Sequence, residues 1–221
     1  MTTTAPPVIP TRAHLANFLA RVNPMRGRLI LAVDATASRQ PTWDTAAQLQ
    51  AQMFETVAAI GGLDVQLVYY RGYQECVASG WKSDAKSLAA VMSRVICAAG
   101  HTQIRRVLAH AHKENAREKI SALIIVSDAC EEVPVDLYAE ARELNGVPIF
   151  LFQEGNDEHV GGIYAEIARI TGGAHCNFNA GAAQRLADLL KAVAAFAAGG
   201  IRALADQKTA AARLLLTQIK R

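Results

Sequence analysis

Short continuous apolar runs alternate along the chain with longer stretches in which apolar residues recur every three or four positions. The run from Leu29 to Val33 is too short for a buried helix and is typical of a strand that is covered on both faces. The run from Ala122 to Val126 has the same character. Strands are predicted at 29–33, 63–70, 74–81, 120–127, 147–152 and 174–178, the third as a short hairpin partner of the second.

The stretches with helical periodicity lie between these strands, and one that begins after Pro41 places Ala46, Leu49 and Met53 on one face. Helices are predicted at 11–22, 41–60, 84–99, 102–119, 134–144, 163–170, 182–198 and 201–219. The glycine pairs are expected at helix ends, where glycine tolerates the left-handed conformation. Strands that alternate with helices predict an α/β fold with a mostly parallel sheet and helices on both faces.

The length of 221 residues fits one large domain or one domain with extensions. We expect residues 1–26 to form an N-terminal tail and short helix, 27–198 the domain, and 199–221 a C-terminal helical extension. That extension is expected to lie on its own domain or to pair with another chain.

Composition narrows the functional class. The net charge is only +3, without a basic run, so no nucleic-acid partner is expected. The four cysteines lie far apart with no Cys-x-x-Cys, so neither a zinc site nor a disulfide framework is predicted. No secretory signal and no transmembrane run is recognised, and we therefore expect a soluble cytoplasmic protein without a membrane partner.

The first predicted strand ends in Asp34-Ala-Thr36-Ala-Ser38. Open α/β sheets bind their ligands at the carboxyl ends of the strands. Three oxygen donors on one tight loop are what a hard cation such as Mg²⁺ prefers. The alternative is that Asp34 and Ser38 only cap the following helix. Phosphate-binding glycine loops and a nucleophile elbow are absent from the sequence.

Asp34, Thr36 and Ser38, followed by Thr102 and by Asp128 after the buried run, match the metal-ion-dependent adhesion site (MIDAS) of von Willebrand factor type A (VWA) domains. Together with the order of elements, this motif set makes the chain similar to intracellular bacterial VWA domains over about 28–198. The resemblance implies a three-layer, doubly wound, Rossmann-like sheet of six strands, mostly parallel, with one short antiparallel edge strand.

The resemblance also implies the roles of the site residues. Thr36, Ser38 and Thr102 are expected to bind Mg²⁺ directly, with Mn²⁺ or Ca²⁺ as alternatives. Asp34 and Asp128 are expected to act through bound water or by orienting the hydroxyl groups.

The sequence departs from the family pattern at two places. Thr36 stands where the family usually has serine, and Ala129-Cys130-Glu131-Glu132 follows Asp128 where the family usually has glycine. One of the two glutamates is hypothesised to fill the open metal position itself.

Three functional classes are compatible with these features. The first is a non-enzymatic adaptor that binds an acidic residue of a protein partner, such as an ATPase or a chaperone-like complex. The second is a metal-assisted hydrolase that uses the same crevice. The third is a scaffold with an inactive site. Retention of all five motif residues favours the first class over the third.

Overall fold

The computed structural model describes residues 26–57, 62–144, 146–179 and 182–219, and the predicted helix at 11–22 lies outside this part of the chain. The strands are β1 (Gly27–Asp34), β2 (Leu63–Arg71), β3 (Glu75–Ala78), β4 (Ala122–Ser127), β5 (Ile149–Glu154) and β6 (Ala174–Phe178). The helices are α1 (Gln40–Val57), α2 (Ala85–Met92), α3 (Ile104–Arg117), α4 (Pro134–Glu143), α5 (Glu158–Thr171), α6 (Ala183–Asp206) and α7 (Ala210–Ile219). None of these described helices has the length and hydropathy that crossing a membrane requires.

The strands form one six-stranded sheet in the order β3-β2-β1-β4-β5-β6. Strand β3 is antiparallel to β2, and every other neighbouring pair is parallel. The predicted Rossmann-like α/β fold with one short antiparallel edge strand is therefore confirmed.

Strand β1 lies at the centre and is covered on both faces. Leu29, Leu31 and Val33 point to a core formed with α1, α2, α6 and α7. Ile30 and Ala32 point to a second core formed with α3, α4 and α5. Successive side chains of a strand alternate between its faces, so a continuous apolar run suits a strand buried on both sides.

The order of the strands also creates a crevice. The chain leaves β1 toward β2 on one side, while β4 pairs with β1 on the other, with Val33 opposite Val126. The connections from β1 and β4 therefore diverge at their carboxyl ends, which is where open α/β sheets bind ligands.

One predicted helix ends earlier than its apolar periodicity indicated. Helix α2 is capped by Asp84 as its start requires, but it stops at Met92, and Ile96 is 71% exposed. The amide of Ala98 donates to the carbonyl oxygen of Ala35 at 3.0 Å. This bond holds the segment 93–99 beside the carboxyl end of β1. A helix that continued past Met92 would carry the segment away from this position.

The prediction that the glycine pairs lie at helix ends was wrong in one case. Gly161 and Gly162 lie within α5, because Asp157 caps that helix before them. Gly200, with φ of 68° and ψ of −163°, separates two helical segments within the range of α6, as predicted. The predicted helix at 201–219 is itself interrupted, because α6 ends at Asp206 and α7 begins at Ala210. Gly172 does end α5 in the left-handed conformation.

Helix α7 lies on its own domain beside the edge strand β6. Leu215 is buried in the core shared with α1 and α6. The side-chain amide of Gln218 accepts from the backbone amide of His175 and donates to its carbonyl oxygen, both at 2.9 Å. The end of the described chain is thus tied to the sheet.

Candidate metal centre

The carboxylate of Asp34 is held at the end of β1 by its own loop and by β4. Its side chain is almost completely buried, and Oδ1 accepts from the backbone amide of Thr36 at 2.8 Å. Oδ2 accepts from the hydroxyl group of Ser127 at 2.9 Å. The first contact is a local aspartate turn, which directs Thr36 and the following short 3-10 turn, Ala37–Arg39, toward the crevice.

Thr102 lies in the loop before α3 and is 5% exposed. This loop is fixed against the turn between β2 and β3. The amide of His101 donates to the carbonyl oxygen of Gly72 at 3.1 Å. A Cβ atom at Gly100 would lie 2.1 Å from that same oxygen, so only glycine permits this approach.

The five predicted metal residues line one cleft with a volume of about 320 Å³. These residues are Asp34, Thr36, Ser38, Thr102 and Asp128, and the rest of the wall includes Gly100, Ala129 and Glu131. The fold therefore brings together side chains that are almost a hundred residues apart in sequence. That they bind a metal stays a prediction.

The donor set of this cleft fits a hard divalent cation. It consists of three hydroxyl groups and two carboxylates, which suit Mg²⁺, Mn²⁺ or Ca²⁺. The described residues hold no group of three or more histidine, cysteine, aspartate or glutamate side chains arranged for a metal. The fit therefore rests on the hydroxyl groups together with Asp34 and Asp128.

The electrostatics of Asp34 agree with this fit. Burial raises the pKa of its carboxyl group, and the nearby charge of Asp128 raises it further, although the hydrogen bonds from Thr36 and Ser127 act in the opposite direction. A cation in the cleft would offset both unfavourable effects, since an opposite charge favours the ionised form.

Arg39 neutralises the other aspartate of the cleft. Its guanidinium lies 3.2 Å from Oδ2 of Asp128 and 2.6 Å from Oε2 of Glu154, and its side chain is 13% exposed. Glu154, at the end of β5, also accepts from the hydroxyl group of Thr42. Sequence reasoning missed both Arg39 and Glu154. The position of Arg39 next to Ser38 was the available signal, but it does not reveal which carboxylate the side chain meets.

The two glutamates that follow Asp128 have different partners. Oε2 of Glu131 accepts from the backbone amide and from the hydroxyl group of Thr102, at 2.8 and 2.7 Å. Glu132 instead accepts from the amides of Ile104 and Arg105 at 2.5 and 2.9 Å, so it caps the N-terminus of α3. Of the two, Glu131 lines the cleft.

Comparison with known proteins gives a fold assignment. No family model and no curated protein sequence matches the chain. A solved von Willebrand factor type A structure from Catenulispora acidiphila superposes with a TM-score of 0.61 at 18% identity, over 79% of this chain and 43% of that one. This chain thus spans less than half of that protein's length.

Two further structures have the same fold. The SpRpn10 VWA domain superposes with a TM-score of 0.57 at 11% identity, over 74% of this chain and 95% of that domain. The manganese-loaded TRAP protein of Plasmodium vivax has a TM-score of 0.50 at 15% identity, over 75% and 73% of the two chains. The strand order, the antiparallel edge strand and these superpositions lead to one conclusion: the chain has the fold of a von Willebrand factor type A domain.

Proposed function

We propose that this chain is a non-enzymatic adaptor module that binds a protein partner through Mg²⁺ held in the cleft. The observation that carries the proposal is the convergence of Asp34, Thr36, Ser38, Thr102 and Asp128 on one cleft. Mn²⁺ or Ca²⁺ can use the same oxygen donors.

In this proposal the hydroxyl groups of Thr36, Ser38 and Thr102 are the direct ligands. Asp34 orients the loop through the amide of Thr36, and Asp128 supplies charge at the opposite wall. When bound, Mg²⁺ supplies an open coordination position that a carboxylate of the partner fills. The partner class is a protein with an exposed acidic residue, such as an ATPase or a chaperone-like complex.

An exposed aromatic side chain near the cleft supports a protein partner. Tyr73 is 78% exposed, and its ring packs edge-on against His101 with 5.1 Å between the ring centres. His101 directly precedes Thr102. Exposed aromatic residues beside a polar site are typical of interfaces with proteins, so Tyr73 would contact apolar residues next to the partner's carboxylate.

We propose that this activity takes place in the cytoplasm, and the resemblance described above suggests a bacterial one. The support is that Cys76, Cys97, Cys130 and Cys176 are all free thiols. Thiols persist in the reducing cytoplasm, whereas exported proteins tend to form disulfides.

A pull-down from a lysate of the native cell tests the proposal. With the chain immobilised, we expect a partner to be retained in Mg²⁺ and lost in EDTA. Ser38→Ala removes one proposed ligand from an exposed position and should reduce the retained amount at limiting Mg²⁺. Ser83→Ala, at another exposed serine, is the matched control and should behave as wild type. A partner retained equally in EDTA would overturn metal-dependent binding.

Removal of Arg39 is expected to strengthen cation binding. The Arg39→Gln substitution frees Asp128 from its ion pair, so a cation no longer competes with the guanidinium. With the loss of one nearby positive charge, we expect Mg²⁺ affinity to rise about tenfold, the equivalent of about 1.4 kcal/mol.

Isothermal titration calorimetry measures this change. Arg169→Gln is the control, because Arg169 pairs with Glu166 on the solvent-facing side of α5. A weaker Mg²⁺ affinity in Arg39→Gln would mean that the guanidinium holds Asp128 in place for the metal and does not compete with it.

A further inference from the structure

Thr102 and Glu131 form a reciprocal set of three hydrogen bonds. Oε2 of Glu131 accepts from the backbone amide of Thr102 at 2.8 Å and from its Oγ1 hydroxyl at 2.7 Å. The backbone amide of Glu131 in turn donates to Oγ1 of Thr102 at 3.1 Å. The two residues come from different loops, one before α3 and one after β4.

These contacts leave the Thr102 oxygen with one unused acceptor site. A hydroxyl group has one hydrogen to donate and two lone pairs that accept. The hydrogen points to Glu131 and one lone pair receives the Glu131 amide. Because Thr102 lines the cleft, the remaining lone pair is the one available to a cation there.

The carboxylate also changes the chemistry of that oxygen. A hydroxyl group that donates to a carboxylate becomes a more basic ligand, as carboxylate partners do for metal-bound histidine.

We propose that Glu131 is a positioning residue, which fixes the hydroxyl group of Thr102 so that its free lone pair faces the cation site. In this role Oε2 of Glu131 is engaged by two hydrogen bonds from Thr102 and does not itself fill the open metal position. Glu132 has no part in this role because its two oxygens cap α3. The inference rests on the proposed metal-binding function.

A double-mutant cycle on Mn²⁺ affinity tests the proposal, with Mn²⁺ as the probe for the divalent site. We expect Glu131→Gln to weaken Mn²⁺ binding about tenfold, the low end of the effect of losing an outer-shell partner. Glu131→Ala should weaken it more, because glutamine keeps an acceptor for Thr102 and alanine does not. In a Thr102→Ala background, neither substitution should cause further loss.

The alternatives give different results in the same cycle. A purely electrostatic contribution would give equal losses for Glu131→Gln and Glu131→Ala and would persist without the Thr102 hydroxyl group. Filling of the open position would also give a loss of Mn²⁺ affinity that persists in the Thr102→Ala background, because the Glu131 carboxylate would then bind the cation itself. Either result overturns the positioning role.

Two controls complete the design. Glu140→Gln removes the same charge from α4, away from the cleft, and should bind Mn²⁺ as wild type does. Thermal unfolding in EDTA shows whether each variant is folded before titration. If folded wild type did not bind Mn²⁺, the proposed function would fail along with this inference. If wild type bound Mn²⁺ and Glu131→Gln bound it with the same affinity, only the inference would be overturned.

Discussion

The Asp34→Asn substitution is expected to abolish Mg²⁺ binding while the metal-free fold is retained. A unit charge about 4 Å from another is worth about 4 kcal/mol at an effective dielectric constant of about 20, so removal of this carboxylate charge should weaken binding at least a hundredfold. The fold should tolerate asparagine. Its amide oxygen can accept from Thr36, and its amide group can donate to Ser127, whose hydroxyl hydrogen has the carbonyl oxygen of Ala129 as an acceptor at 3.3 Å.

Calorimetry and thermal unfolding separate these two effects. Mg²⁺ should raise the unfolding temperature of wild type, since a ligand that binds only the folded state stabilises it. It should leave that of Asp34→Asn unchanged. Asp44→Asn, an exposed aspartate on α1, is the control and should respond to Mg²⁺ as wild type does. Persistence of the Mg²⁺ effect in Asp34→Asn would remove Asp34 from the site.

The Asp34 carboxyl group should also affect how the free energy of unfolding in EDTA depends on pH. Burial raises the folded-state pKa of Asp34 above its ordinary value, so the native state binds this proton more tightly than the unfolded state does. This contribution to stability is fully present below the unfolded pKa and is lost as pH rises through the folded pKa. The free energy of unfolding of wild type relative to Asp34→Asn should therefore decrease over that window. An increase would mean that the hydrogen bonds to Asp34 outweigh its burial.

The Gly100→Ala substitution should damage both the fold and the cleft. The added Cβ atom would lie 2.1 Å from the carbonyl oxygen of Gly72 and 2.2 Å from its amide nitrogen. Because the atoms met are backbone, the loop that carries Thr102 must move. Overpacking of this kind costs about 1–3 kcal/mol. We expect a lower free energy of unfolding together with a weaker Mg²⁺ affinity, measured by urea unfolding and calorimetry.

Gly80→Ala is the matched control for this loop. No atom lies within 4 Å of a Cβ atom at Gly80, and its φ is outside the positive range. Stability and Mg²⁺ affinity should therefore stay close to those of wild type. A Gly100→Ala variant that is less stable but binds Mg²⁺ normally would show that Thr102 does not depend on the contact with Gly72.

The fold was predictable from the sequence because its strands are defined by local patterns. The buried runs that end at Asp34 and at Ser127 can be recognised without tertiary information. Their continuous apolar sequences are typical of parallel strands that helices cover on both faces. The early end of α2 was not predictable in this way. Its apolar period continues past Met92, but the helix ends there, and the following segment bonds through Ala98 to the distant Ala35.

The site was predictable only in part, for a similar reason. The five motif residues follow from spacing and resemblance, whereas the partners of their side chains depend on which loops meet. Glu131 and Glu132 are adjacent in sequence and alike in chemistry, yet one meets Thr102 and the other caps α3. Nothing local distinguishes them, because the difference arises from the direction of the loop after Asp128.

The contact between Gln218 and His175 affects the tendency of the protein to self-associate. An edge strand with free backbone groups is a template on which another chain can add a strand and begin aggregation. At β6 a side-chain amide already occupies the donor and the acceptor of His175. Helix α7 thus protects the β6 edge of the sheet from pairing with another strand. Truncation of the chain after Thr209, which removes α7, would expose both this edge and the apolar surface that Leu215 covers. The truncated protein is therefore expected to self-associate.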